Sequence, residues 1–444
     1  MTTSRSEPAP ALDQGVKTDI AIVGAGFTGL WTAVFLKDLD ASTDVVVLER
    51  ETAGYGASGR NAGILSETID HSHSLAVTHF GLEEARRLVT IGKQNLEEMA
   101  AFLTANQVDA DHEPTGRLHV ALTTAHTEEI QKSIEAEKTL GITGAQYLDV
   151  DAVRDEIHSP LYLGGAFFPS GGILNPVKLA HGLKRVALNR GVRFFERTDV
   201  VGLQNASVKT SAGSVQANKI ILATDAYTHH LYPKLLKYFI PLYDYIIVSE
   251  PLTDAELKSI GWRNRQGVTD GRTFFNYYRL TRDNRIVWGT SEAKYYAPNR
   301  VDASCDHSEA HYAGLRESFR RHFPQLQSLK FPFAWGGPIA STTRLTPFFG
   351  STQKGRLVYA LGYTGHGIGS TRIAAKILAH LALEKRCELL DLSMVRKKPF
   401  PYPPEPLRSW AVHLVTRSLR RVDEGKKPGL LLSILDKLRI GFSS

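Results

Sequence analysis

Residues 19–25, DIAIVGA, are an almost unbroken apolar run rich in β-branched side chains, the pattern of a strand buried on both faces. TGLWTAVFLKDL follows with few polar positions and reads as a buried helix, and VVVLE, ending at Glu49, reads as the next strand. PVKLAHGLKRVALNRG places Leu179, Leu183, Val186 and Ala187 at helical spacing and stops at Gly191; the strand-like VRFFERTDVVGL comes after it. KIILATDAYT is a further buried strand ending in a turn, and TRIAAKILAHLALEK a further helix. Two inserts break this rhythm. Residues 76–149 are predicted to be mainly helical, with Leu88, Ile91, Leu96, Met99 and Leu103 near one face. Residues 229–334 hold repeated short runs rich in Tyr and Phe, which predict an antiparallel sheet. No internal repeat interrupts the chain.

Composition narrows the class. The 444 residues are 42% hydrophobic and 22% charged, enough for a large core and two or three domains. From Arg396 onward, eleven Lys and Arg face four Asp and Glu, so the tail carries the whole net charge of +7 and the body is close to neutral. That distribution argues against a nucleic-acid groove. Two cysteines, Cys305 and Cys387, exclude a disulfide framework and any paired-cysteine metal site, and fit a reducing cytoplasm. The opening stretch lacks the apolar core of a signal peptide and is expected to be a disordered leader over 1–17. No run of 18 apolar residues exists to span a bilayer.

Chemistry enters at the turn between the first strand and helix. Gly24, Gly26 and Gly29 make G-x-G-x-x-G around Phe27 and Thr28, and Glu49 stands 20 residues beyond Gly29. Gly24 permits the tight turn, Gly26 lets a pyrophosphate approach the backbone and Gly29 lets helix and strand pack closely; the acid accepts hydrogen bonds from an adenosine ribose. An acid there favours NAD or FAD over a phosphorylated ribose. The next stretch, RETAGYGASGRNAGIL, has no obvious use in a nicotinamide enzyme. Its small residues, among them Ala57, Ala62 and Gly63, would let backbone pass close to a flat ligand, and Ser58, Arg60 and Asn61 supply donors; an ordinary mobile loop has the same composition.

The order GAGFTG, VVLE, GASGRNAG, FAWGGPIASTTRLTPFFG and GYTGHGIGS resembles the FAD-dependent amine and D-amino acid oxidase family, over residues 18 to about 385, with GASGRN nearest in look to its gamma-glutamylputrescine oxidase branch. The resemblance implies an α/β fold of glutathione-reductase-like, D-amino acid oxidase type. In it a discontinuous Rossmann-like FAD-binding domain (18–75, 150–228 and 335–385) carries an inserted antiparallel β-sheet substrate domain (76–149 and 229–334), and a basic helical extension (386–444) follows. It implies non-covalent FAD, since neither cysteine has the context for attachment. It places Arg50 beside Glu49, Val200 on the adenine, and the backbone of Ala223 and Thr224 at the cofactor. In that family Gly or Asn often stands at the position of Asp225; an acid is unfavourable near phosphates, so its carboxylate is expected to point away. Gly362, Gly365, His366, Gly367 and Ile368 would open a helix whose N-terminus faces the flavin, where partial positive charge steadies the reduced ring. His366 is expected to be neutral there and not a base.

The implied reaction is oxidation of a C–N bond in a small amine or amino acid by hydride transfer to flavin N5, followed by hydrolysis of the imine, with oxygen as acceptor giving hydrogen peroxide. A dehydrogenase passing electrons to a quinone or carrier protein, a 2-hydroxy acid oxidase, and an FAD-bound regulatory protein are the alternatives. Tyr277 and Arg279 share one face of a strand and are candidate substrate contacts, Arg279 as a carboxylate clamp; a cross-strand aromatic beside a solvated Arg fits equally. Trp335 and Arg344 are candidate pocket walls, with core packing the alternative for Trp335. In the tail, Ala411, Val415, Ser418 and Val422 share one helical face, with Arg417, Arg420 and Arg421 mostly opposite. That helix suits packing on its own body or on a second subunit better than a membrane surface.

Overall fold

The computed structural model describes residues 7–70, 72–204 and 207–437. Two eight-stranded sheets organise them. In the first, Leu357–Leu361, Ser214–Leu222, Gly15–Val23, Val45–Leu48 and Arg193–Phe195 run parallel, and Phe348–Thr352 closes one edge antiparallel. Val45–Leu48 is buried at every position, as a strand covered on both faces must be. Helices Phe27–Leu39, Pro176–Asn189 and Gly367–Ala382 pack against this sheet in one hydrophobic core. Asn175 caps the second of them by accepting from the Val177 and Lys178 N–H groups, with Pro176 at its first position.

The second sheet runs in the order 333–341, 240–248, 286–290, 276–280, 267–270, 117–121, 164–168, 146–148. All its pairs are antiparallel except Gly267–Asp270 with Arg117–Ala121. Its outer face packs on a separate core that includes Tyr243, Tyr245, Trp288, Phe319 and Phe323.

Several expected boundaries move. Gly164–Phe168 and Phe333–Ser341 pair within the second sheet, so residues placed with the first domain, from 150 and from 335, belong to the other. The mainly helical insert 76–149 contains strands Arg117–Ala121 and Gln146–Leu148. RLHVA hides its strand character because its polar side chains face an interior cavity rather than water. Residues 7–17 of the expected disordered leader are held on the body: Ala9 N–H donates to Glu196 Oε2 at 2.6 Å, Leu12 N–H to Thr198 at 2.9 Å, and Leu12 is buried. Residues 1–6 of that leader and 438–444 of the extension lie outside the described residues. Among the described residues of the extension, a short turn Glu388–Asp391 and helices Ser393–Arg396, Leu407–Asp423 and Leu430–Lys437 follow one another. No described helix is long and apolar enough to cross a membrane.

Candidate functional site

The strand Gly15–Val23 turns sharply at Gly24, whose φ of 102° belongs to glycine, and its N–H is held by Leu48 O at 2.8 Å. A Cβ on Gly29 would stand 1.9 Å from Gly24 O, so the helix can start against the strand only with glycine there. Gly26 precedes that helix with no side chain of its own to cap it. A helix start of this kind is an anion cradle. Ser58 Oγ accepts from Phe27 N–H at 2.8 Å and pins the following loop beside it.

That loop is a short helix, Ala57–Arg60, with an internal brace. Asn61 Nδ2 donates to Ala57 O and Ser58 O at 3.0 and 2.9 Å, and its Oδ1 accepts from Gly63 N–H at 2.9 Å. Arg60 is paired with Asp306 at 2.7 Å and donates to Gly336 O at 2.8 Å, which locks the loop to the second sheet. Arg60 and Asn61 both line the cavity, and the bonds named here tie them to the protein. Glu49 accepts from Ala25 N–H at 2.7 Å and Glu51 N–H at 3.0 Å; burial pushes its carboxyl above the usual range. Arg50 lies over the Tyr227 ring at 5.0 Å. Asp225 accepts from Gly362 N–H at 2.9 Å and Ala340 N–H at 3.2 Å, joining both sheets, and burial pushes it up to about 6.

The late glycine turn follows strand Leu357–Leu361. Gly362 and Gly365 have φ of 89° and 84°, and His366 precedes helix Gly367–Ala382. The Tyr363 hydroxyl meets the Thr28 hydroxyl at 2.8 Å, so the two glycine turns touch. His366 is held down at about 4, first by burial and then by the charge of Arg117, and stays neutral. Desolvation is therefore the first source of the expected neutrality.

Both turns open on one cavity of about 1240 Å³. Gly24, Gly26, Phe27, Thr28, Glu49, Arg50, Ala57, Ser58, Arg60, Asn61, Ala62, Gly63, Val200, Ala223, Thr224, Gly365, His366, Gly367 and Ile368 line it, as does Tyr277. Gly29 and Gly362 sit behind the lining and shape its backbone. Neither cysteine lines it; Cys305 is in the core behind the second sheet and Cys387 is half-buried.

The second sheet supplies the opposite wall by strict alternation. On Ile240–Val248, residues 240, 242, 244 and 246 face the cavity, while Tyr243, Tyr245 and Ile247 face the core behind. Four polar residues that the sequence reading missed are thereby placed on the cavity: Asp244, Arg117, His119 and Thr269. The Tyr277 hydroxyl donates to Asp244, whose other oxygen accepts from Tyr245 N–H at 2.8 Å. Burial pushes Asp244 up to about 7. His119 Nδ1 lies 2.8 Å from the Thr269 hydroxyl, and burial lowers it to about 4. Arg117 Nη2 donates to both carboxylate oxygens of buried Glu67, at 2.8 and 2.9 Å. The signal for this wall was faint: single polar residues at alternate positions in RLHVA and PLYDYII.

Three expected substrate contacts lie elsewhere. Arg279 is buried, donating from Nε to Ala62 O and from Nη1 to Leu280 O at 3.0 Å, and burial lowers it to about 10. It props the loop that carries Ala62 and is outside the cavity lining. Arg279→Met is expected to lower flavin occupancy while leaving KM unchanged once FAD is saturating; a raised KM for carboxylate substrates alone would restore the clamp. Trp335 donates to Arg60 O at 2.8 Å and packs behind the wall with Ala62 and Tyr277. Arg344 is a buried knot, donating to Thr346 Oγ1, Pro347 O, Met394 O and Lys397 O at 2.7–3.2 Å. Arg344→Met strands those buried acceptors. It should cost roughly 3 kcal/mol and free the chain after residue 394 to proteolysis, read by melting and by limited digestion.

The extension roofs the cavity. Tyr402, Ala411, Val415, Leu419 and Leu435 line it from outside. Asp423 accepts from Thr273 and Phe274 N–H at 2.7 and 2.9 Å, and Val415, Leu419 and Leu432 pack with Phe274. The helix thus packs on its own body.

Against known proteins, residues 19–381 match the DAO family, described as FAD dependent oxidoreductase. The chain is 30% identical over 384 residues to gamma-glutamylputrescine oxidoreductase of Escherichia coli K12, covering 86% of this chain and 87% of that one. It is 29% identical over 384 residues to the probable oxidoreductase OrdL of Haemophilus influenzae, covering 84% and 85%. Among solved structures, glycine oxidase from Bacillus cereus superposes with a TM-score of 0.68 at 20% identity, over 86% of this chain and 99% of that one. L-proline dehydrogenase from P. horikoshii superposes at 0.69 and 17%, over 93% and 100%. These two share the fold.

Proposed function

Because the chain belongs to the DAO family of FAD-dependent oxidoreductases, we propose that it oxidises the C–N bond of a small amine or amino acid. The residues fit the cofactor: a glycine cradle that a Cβ would fill at Gly29, a carboxylate at Glu49 on the cavity, and a second glycine turn at the same cavity. FAD, held by these turns, would supply the two-electron acceptor. Balanced, the reaction is amine plus oxygen plus water giving carbonyl, ammonia or a smaller amine, and hydrogen peroxide.

The observation that carries the substrate class is Asp244 on the cavity wall, its carboxyl raised to about 7 and bonded by Tyr277. A carboxylate there draws in an ammonium group. The same burial that raises the acid disfavours the ammonium, so the two can share a proton and leave the neutral amine, the form that is oxidised. His119 and His366, held neutral by burial, add no competing positive charge. Oxygen as acceptor is supported by the oxidases among the structural neighbours; the proline dehydrogenase with the same fold supports a carrier instead.

The test is anaerobic bleaching of the bound flavin by polyamines, N-methyl amino acids, D-amino acids and 2-hydroxy acids, followed by air. Bleaching by an amine and fast reoxidation are expected. A protein with no flavin spectrum after FAD addition, or one bleached by hydroxy acids alone, overturns the reading; slow reoxidation replaces oxygen with a carrier.

A further inference from the structure

The roof helix Leu407–Asp423 has two faces with different fates. Its inner residues, Val415 and Leu419, are buried over the cavity. Its outer stripe, at spacings of three and four, reads Leu407, Trp410, Leu414, Arg417, Arg421, and every member is exposed. Trp410 is 70% and Leu407 61% exposed. The connection to the last helix adds exposed Lys426 and Lys427, and that helix exposes Leu430 and Ile434 four residues apart. Exposed bulky apolar residues at this density, on a segment beyond the family match at 381, need an occupant.

Charge decides which one. A second copy of this chain docked through a two-fold axis would set Arg417, Arg421, Lys426 and Lys427 against the same cations. Interfaces between proteins are also depleted in lysine at their centre. Among the side chains described on this stretch, the exposed acid is Glu424, and it is taken by Lys426 at 2.6 Å. The pattern of a protruding tryptophan and leucines followed by arginine and lysine is complementary to a surface that is apolar within and anionic without. We propose that the outer face of the two C-terminal helices docks the enzyme peripherally on an anionic lipid bilayer, with Trp410, Leu407 and Leu414 entering the headgroup boundary and the cations lying against the headgroups. The active-site roof then rests on the bilayer.

The experiment is sedimentation of the holoenzyme with phosphatidylglycerol–phosphatidylcholine vesicles, with pure phosphatidylcholine vesicles as the comparison. The enzyme should pellet with the anionic vesicles and be released by salt. Trp31, Trp262 and Trp288 are buried and Trp335 is half-buried with its indole bonded to Arg60 O, so a blue shift of emission on vesicle addition that is lost in Trp410→Ser reports Trp410. The double variant Trp410→Ser, Leu414→Ser and the charge variant Arg417→Gln, Arg421→Gln should each weaken vesicle binding about tenfold or more. Flavin absorption and turnover in free solution should stay at the parent level. Failure to bind anionic vesicles at low salt, equal binding to both vesicle types, or unchanged binding by both variants overturns the proposal. So does a solution dimer that Trp410→Ser dissolves, which would make this face a contact between copies.

Discussion

Gly29→Ala is expected to purify with little or no flavin and to melt far below the parent. The added methyl would sit 1.9 Å from Gly24 O and 3.3 Å from Ile22 Cγ2. Nothing at the first of these contacts can swing aside, because Gly24 is backbone, fixed by its positive φ and by its bond to Leu48 O. Relief requires the helix Phe27–Leu39 to move off the sheet, which disrupts packing at Leu30, Trp31 and Val34 in the main core. Overpacking of this kind costs about 3 kcal/mol or more. It also displaces the N–H groups at the helix start that would meet the pyrophosphate. Gly15→Ala, where a Cβ would meet nothing within 4 Å, is the control and should behave as the parent. The ratio of flavin to protein absorbance and the thermal midpoint read the result; full occupancy in Gly29→Ala would refute the argument.

Asp244→Asn is expected to remove a pH step and most of the amine affinity together. In the parent, Asp244 is neutral below about 7 and charged above it. Binding of a cationic amine should therefore strengthen as pH rises through 7, and kcat/KM should climb along that limb. Asparagine keeps one carbonyl acceptor for the Tyr277 hydroxyl or the Tyr245 N–H but carries no charge. Loss of a buried charge partner costs about 2 kcal/mol or more, roughly 30-fold in kcat/KM. The variant's profile should be flat across that limb. Tyr277→Phe removes one bond to the carboxylate and should shift the limb upward while keeping it. A parental pH profile in Asp244→Asn would sink the assignment of the amine to this wall.

The glycine-turn half of the cavity was readable from the chain because its requirements are local. Gly24, Gly26, Gly29 and Glu49 mark one strand–turn–helix–strand unit, and that unit does open on the cavity. Of the sheet wall, the sequence pointed to Tyr277 and little else. Asp244, His119 and Thr269 come from three different strands, and each is one polar residue in an apolar alternation until the sheet sets them side by side. The arginines misled for a related reason. Arg279 and Arg344 look like ligands for a carboxylate beside aromatic and small residues, yet both spend their fork on backbone carbonyls. A single sequence shows that a guanidinium is present, not which oxygen it meets. The domain boundaries at 150 and 335 slipped because Gly164–Phe168 and Phe333–Ser341 are paired across long sequence separations that local pattern does not encode.

The cavity's walls begin near Gly24 and end at Leu435, and its central sheet sets Gly15–Val23 beside Ser214–Leu222, which in turn meets Leu357–Leu361. The first glycine turn is therefore made early on the ribosome, but the chamber it opens on does not exist until residue 435 has emerged. Neighbours so far apart in sequence assemble slowly. FAD that fills the chamber is therefore expected to enter after residue 435 has emerged, once helices Leu407–Asp423 and Leu430–Lys437 can close over it.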